Sequence, residues 1–142
     1  MTPGLALLQK YLLDGRVLRG GMFVKLAVED VLNKRCQDCF DAQYQRVFRE
    51  LETFTRSAAI PEDELIAVND VREAAYRTAL AFSTSPELAT AVCDDFELLG
   101  ASLAAGFNDP WLNSLWLAYR HGQIPHTELQ PSEGELDMLI DY

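Results

Sequence analysis

The chain has 142 residues, of which 49% are hydrophobic and 24% charged. This composition is typical of one soluble domain with a hydrophobic core, and it excludes a chain that is disordered throughout. The formal net charge is −10, with nine basic and seven acidic residues in residues 1–60 but three basic and 15 acidic residues in residues 61–142. Because so acidic a chain is repelled by phosphate backbones, direct binding to nucleic acid is not expected.

Neither a membrane span nor a secretory signal is expected. The longest uncharged stretch, residues 98–108, is far shorter than the roughly 18 apolar residues of a spanning helix. The first residues lack the basic segment and apolar run of a signal peptide. The three cysteines, Cys36, Cys39 and Cys93, are an odd number, which favours free thiols. We therefore expect a cytoplasmic protein in a reducing compartment.

Helical periodicity is the dominant pattern, and in chain order it first appears near the N-terminus. Leucines in residues 5–12 recur at steps of three and four, and they predict a short helix that ends at Asp14-Gly15. A second helix is predicted from Met22 to about Lys34, where valines recur on one side.

The clearest predicted helix runs from about Cys39 to Arg56, and it carries a broad aromatic stripe. Its members are Phe40, Tyr44, Val47, Phe48, Leu51 and Phe54. Since such a stripe faces the core of a globular protein, we expect Phe48 and Leu51 to be buried.

Two further helices are predicted over residues 62–84 and from Ser85-Pro86 to about Gly106. The second carries an apolar stripe that includes Phe96 and Leu99, which we expect in the core. Glu87, Asp94 and Glu97 lie on the opposite face and are expected in solvent.

A sixth helix is predicted from Asp109-Pro110 to Gly122. Trp116 lies on its core-facing stripe, whereas Trp111 and Leu117 fall off it. A helix that is apolar nearly all round is either central in the fold or presents a patch to a partner. Trp111 and Leu117 are therefore candidate partner-binding residues.

These patterns predict an all-α fold, a compact bundle of about six helices over residues 1–122. Residues 123–142 are predicted to form an acidic tail. Up to residue 134 this segment contains prolines and a glycine and has no apolar periodicity, which is typical of an irregular segment. Ser132 and Glu135 have the spacing of a capping box, which predicts a short amphipathic helix over about residues 133–141.

The end of the tail has the features of a docking segment. On a helix, Leu136, Leu139 and Ile140 share one face, with Asp137 beside them and Tyr142 at the end of the chain. Over eight residues the stretch is similar to acidic peptides that lay an amphipathic helix into a groove. We expect these five residues to bind a partner, with docking onto the tail's own domain as the alternative.

The sequence contains few residues with a catalytic or metal-binding pattern. Cys36 and Cys39 have the spacing of a zinc or redox pair. A zinc site needs two more ligands, and the histidines, His121 and His126, are far away in sequence. A redox pair is expected beside β-strands, and no strands are predicted near the cysteines. Phosphate loops and nucleophile elbows are also missing from the sequence. No catalytic residue, metal site or cofactor is predicted.

The sequence therefore predicts a non-enzymatic protein-protein interaction module that binds a partner with a basic surface. A small acidic inhibitor, an immunity-type protein and an adaptor all fit this class. Two alternatives stay open, a small metal-binding helical domain that uses Cys36 and Cys39 and a helical enzyme of unrecognised type. Because clustered like charge steers association, binding is expected to weaken with salt.

Overall fold

The computed structural model describes residues 2–141. Within this range the chain forms seven α-helices and no strand. The helices are α1 (Pro3–Asp14), α2 (Val28–Arg35), α3 (Asp38–Thr55), α4 (Glu62–Ser83), α5 (Pro86–Ala105), α6 (Pro110–Arg120) and α7 (Leu136–Asp141). The predicted all-α bundle with a short C-terminal helix is confirmed.

Capping residues set several helix ends at the predicted positions. Ser85 accepts a hydrogen bond from the amide of Leu88, and Asp109 accepts two from the first turn of α6. A proline follows each of these caps, where its missing N–H costs nothing. Gly106 ends α5 in the left-handed conformation, with φ of 74°, which glycine adopts without strain.

The second predicted helix is wrong over its first half. In place of a helix from Met22, the chain makes a 3-10 turn at Gly20–Met22 and starts α2 only at Val28. Lys25 lies between them with a φ of 61°, in the left-handed region. Because a left-handed residue cannot continue a right-handed helix, the valine pattern does not produce helix here.

The core is built around α4 and α5, which form the most extensive helix pair and run antiparallel across a tight turn. Along α4, small side chains recur every four residues and are buried, at Ala67, Val71, Ala75 and Ala79. This small-residue ridge lets α5 approach closely. On α5, Phe96 and Leu99 are fully buried, as predicted.

One predicted core residue is on the surface. Phe48 is 48% exposed, whereas Leu51 on the same helix and Trp116 on α6 are buried as predicted. Helix geometry explains the difference, since Phe48 points about 80° away from Phe40, at the edge of the stripe. Helix α3 packs against α5 and α6, and at the edge of the stripe Phe48 remains half-exposed in a groove beside α5.

The C-terminal helix packs onto α1 and α6. Residues 123–135 cross between α6 and α7 as an irregular segment. Across residues 2–141, no helix has both the length and the apolar character needed to cross a membrane.

Candidate functional site

A groove of about 430 Å³ lies between α3 and α5 on the surface of the bundle. It is lined by Tyr44, Gln45, Phe48, Leu51, Asp94, Glu97, Leu98 and Ala101. One wall therefore comes from the edge of the aromatic stripe of α3, and the other comes from the acidic face of α5.

The groove combines an apolar interior with an acidic rim. The ring of Phe48 is half-exposed at its mouth, and Leu98 is 3% exposed. On the rim, Asp94 and Glu97 are exposed, as the sequence predicted. Glu97 lies 3.4 Å from the Nε of Arg72, whereas no basic side chain of residues 2–141 forms an ion pair with Asp94. An apolar centre with a charged rim is the usual layout of a protein interface.

The electrostatic state of Asp94 follows from its position in this wall. Partial burial raises the pKa of its carboxyl group, and the neighbouring carboxylates of Asp95 and Glu97 raise it further. The ionised form is therefore held in an unfavourable field. A cation placed against the rim would relieve that field.

A buried ion pair involves the residue that follows Asp94 on α5. The guanidinium of Arg35 donates two hydrogen bonds to the carboxylate of Asp95, at 3.0 and 2.7 Å, and a third at 2.8 Å to the carbonyl of Pro125. The hydroxyl of Tyr119 donates to the same carboxylate. This network joins α2, α5 and α6 to the segment that follows α6.

The surroundings of Arg35, Tyr119 and Tyr44 raise the pKa of each of these three side chains. Burial alone would lower the pKa of Arg35, but the carboxylate of Asp95 offsets this effect and the pKa is raised. Burial raises the pKa of Tyr119, and Asp95 raises it further. Burial together with Asp95 and Asp94 likewise raises the pKa of Tyr44, whose ring lines the groove. Near neutral pH, Arg35 is therefore positively charged, and Tyr44 and Tyr119 are neutral.

Sequence reasoning placed Phe48 in the core and gave Asp95 no role. The sequence does contain a signal that Asp95 is buried. Its position lies about 60° from Val92 around the helix axis, which is close to the buried stripe of α5. An acidic side chain at that angle requires a buried partner. The partner, Arg35, is 60 residues away, and nothing local identifies it.

The residues predicted on α6 for partner binding lie mostly inside the protein. Trp111 is 3% exposed and packs edge-on against the rings of Phe40 and Tyr44, at centroid distances of 5.3 and 6.2 Å. Leu117 is partly buried against the core. The partner-binding role of Trp111 and Leu117 stays a prediction.

The tail residues lie against their own domain. Leu136 is 1% exposed and Ile140 is fully buried, while Leu139 is partly buried against the core. Asp137 is exposed, and its carboxylate accepts a hydrogen bond of 2.7 Å from the amide of Gly4. Tyr142 lies outside the described residues. In this arrangement α7 occupies a groove of its own chain, and a contact of these residues with a partner stays a prediction.

The cysteines are all free thiols. Cys36 and Cys39 are exposed at the junction between α2 and α3, and Cys93 is buried on α5. Among residues 2–141, no group of three or more histidine, cysteine or acidic side chains is arranged to hold a metal ion.

An all-helical domain with a surface groove that has apolar walls and an acidic rim fits the class of small proteins that act by binding another protein. The model of one family, described as Immunity protein PIM1, matches residues 7–126. The chain belongs to this family. The match spans the groove and the Arg35–Asp95 pair, whereas α7 lies beyond it. No curated protein sequence matches the chain.

Proposed function

We propose that the chain is an immunity protein that neutralises a toxin protein by seating a basic, partly apolar segment of that toxin in the groove between α3 and α5. An immunity protein protects a cell by binding a toxin, and membership of the family supports this role. The observation that carries the choice of surface is the exposed aromatic ring of Phe48, which lies in one groove with the carboxylate of Asp94. Within residues 2–141, this carboxylate has no ion-pair partner.

The groove offers a basic segment two kinds of contact. A lysine or arginine head can reach the carboxylates of Asp94 and Glu97, and its methylene stem can lie along Phe48. A guanidinium can also stack on the faces of Phe48 and Tyr44. Burial and repulsion by Asp95 and Glu97 raise the pKa of Asp94, and a bound cation counteracts both effects, so binding and proton release from this residue are coupled.

The overall charge acts at longer range. Residues 61–142 carry a large excess of acidic side chains, which attracts a basic partner before contact. Such steering raises the rate of association and falls with salt, whereas the contacts inside the groove set the rate of dissociation. The immunity protein then acts by covering the toxin surface, without a chemical step.

The proposal is tested by protection of a sensitive bacterial strain. The open reading frames that flank the gene of this chain are expressed as candidate toxins, with and without the parent chain. Asp94→Lys combined with Glu97→Lys is expected to abolish protection, because the groove then repels a basic segment. A matched control, Asp70→Lys with Glu133→Lys, changes the net charge equally at exposed positions outside the groove and is expected to keep protection.

Purified complexes separate the two electrostatic effects. Both double variants are expected to associate more slowly than the parent, but only the groove variant is expected to dissociate at least about tenfold faster. Circular dichroism establishes that each variant is folded. Protection by the groove variant at the level of the parent would contradict the choice of surface, and protection against none of the candidate toxins would contradict the immunity role.

A further inference from the structure

A second cavity, of about 230 Å³, lies at the junction between the end of α1 and the end of α6. Three arginines line it, Arg16 and Arg19 from the loop after α1 and Arg120 from the last turn of α6. It shares no lining residue with the groove between α3 and α5. On a chain with a net charge of −10, this concentration of positive charge is the exception.

The loop that carries two of these arginines is fixed by its neighbours. Val17 and Leu18 are each 2% exposed, so they anchor the loop in the core. Leu18 has a φ of 58°, a left-handed conformation that a leucine keeps only when its surroundings impose it. Because Arg16 and Arg19 flank this buried pair, their backbone positions are set before any ligand arrives.

Two of the arginines also share one aromatic ring. The guanidinium carbons of Arg16 and Arg120 lie 5.5 and 5.6 Å from the centroid of Tyr11, within the range of a cation–π contact. Asp14 lies 3.5 Å from Arg16 and offsets one positive charge. Arg19 forms no hydrogen bond or ion pair with any other side chain of residues 2–141. The three arginines therefore line one cavity, and the guanidinium of Arg19 keeps all its donors available to a ligand.

We infer that this cavity, the three-arginine pocket, binds the phosphate group of a small ligand. A phosphate presents three strong acceptor oxygens and close to two negative charges at neutral pH. The paired N–H donors of a guanidinium match the spacing of two phosphate oxygens. A carboxylate has only two oxygens and binds one arginine in the bidentate manner, whereas a phosphate can bind more than one. The distant acidic residues of the chain do not prevent this binding, since salt screens charges beyond roughly 8 Å under physiological conditions.

The size of the cavity limits the ligand. A volume of 230 Å³ is below the roughly 300 Å³ at which pockets for drug-sized ligands begin. The pocket therefore takes inorganic phosphate or the phosphate end of a phosphomonoester whose remainder lies outside. A nucleic acid polymer is disfavoured, because its backbone would meet the acidic remainder of the surface.

Titration of the parent chain with inorganic phosphate, AMP and adenosine tests the inference. Amide chemical shifts of residues 15–19 and 120–122 are followed by NMR, with chloride added to keep the ionic strength constant. Saturable shifts are expected with phosphate and AMP and none with adenosine. Tighter binding of AMP than of phosphate identifies a phosphomonoester as the preferred ligand, and equal binding identifies the phosphate group alone.

Three variants decide whether the arginines form the site. Arg19→Gln is expected to weaken phosphate binding about tenfold to a hundredfold, because a charge-assisted hydrogen bond is lost. Arg120→Gln is expected to do the same. Arg49→Gln, which removes an equal charge at an exposed position outside the pocket, is expected to bind like the parent. Since Arg19 has no side-chain partner to lose, its variant stays folded, and parent-like binding by Arg19→Gln or a lack of saturation would overturn the inference.

Discussion

Helices α3 and α6 both carry several large aromatic side chains, yet they use them differently. On α6, Trp111, Trp116 and Tyr119 are all at most 3% exposed. On α3, Phe48 and Phe54 are 48% and 42% exposed. The difference lies in the neighbours of each helix, because α6 has α3, α5 and α7 around it.

The C-terminal segment completes the burial of α6. The side-chain amide of Asn113 donates to the carbonyls of Ser132 and Gly134, and the indole N–H of Trp116 donates to the carbonyl of Leu139. The exposed edge of α3 has no such cover. The comparison separates aromatic side chains that hold the fold together from those that remain available to a partner.

The largest expected effect tests this difference directly. Trp116→Ala is expected to lower the free energy of unfolding by about 3–5 kcal/mol, because it opens a cavity in the core. Phe48→Ala is expected to cost about 1 kcal/mol or less, because half of the ring is already in solvent. Urea unfolding of both variants measures these values. Equal losses would contradict the distinction between the two helices.

The buried ion pair of Arg35 and Asp95 leads to a second prediction. Arg35→Met leaves the carboxylate of Asp95 buried without its counter-ion, and we expect a loss of about 3–5 kcal/mol. Arg35→Met combined with Asp95→Leu removes both charges and is expected to be less destabilised than the single variant. Chemical unfolding of both variants gives the comparison. A double variant less stable than Arg35→Met would contradict the account of the pair.

The cover provided by α7 leads to a third prediction. Leu136→Ala is expected to destabilise the chain by about 2–5 kcal/mol, because this side chain is 1% exposed between α7 and the bundle. Met138 lies two residues away but is 70% exposed, so Met138→Ala serves as the matched control and is expected to change stability by less than about 0.5 kcal/mol. Thermal unfolding followed by circular dichroism distinguishes them. A Leu136→Ala variant as stable as the control would show that α7 does not contribute to the core.

Much of the fold could be predicted because its signals are local. Capping residues and left-handed glycines mark the ends of α5 and α6 in the sequence itself. The left-handed Lys25 lacks such a signal, because lysine is not a residue that favours this conformation, and the predicted second helix was therefore too long.

The groove could be predicted only in part, because it depends on which helices become neighbours. The periodicity of α3 shows which side of the helix is apolar, but it does not show how much of that side is covered by other helices. For this reason Phe48 was predicted in the core, although its ring is half-exposed. The acidic face of α5 was predicted correctly, yet its position beside Phe48 arises from contacts across some 50 residues. The pairing of Asp95 with Arg35 could not be predicted for the same reason, because it joins two helices that are distant in sequence.

The smallest expected effect concerns Asp94, the rim residue of the groove. Burial, Asp95 and Glu97 raise its pKa above the usual 3.8 in the folded chain. The folded chain therefore binds a proton at this site more readily than the unfolded chain does. By linkage, the site destabilises the fold above the raised pKa, and this contribution disappears as the pH falls through the raised value towards the usual one.

Asp94→Asn removes this unfavourable charge, so at pH 7 the variant is expected to melt at the same temperature as the parent or slightly above it. As the pH is lowered from 7 towards 4, the two melting temperatures are expected to converge, because the raised pKa lets Asp94 of the parent take up a proton more readily than an ordinary aspartate does. Glu87→Gln is the matched control on the same helix, and the opposite sign is expected at pH 7. Its carboxylate lies in the first turn of α5, where negative charge is favourable. Thermal unfolding of the three chains at both pH values provides the measurement. A lower melting temperature for Asp94→Asn at pH 7 would mean that Asp94 stabilises the fold and is not held there for a partner.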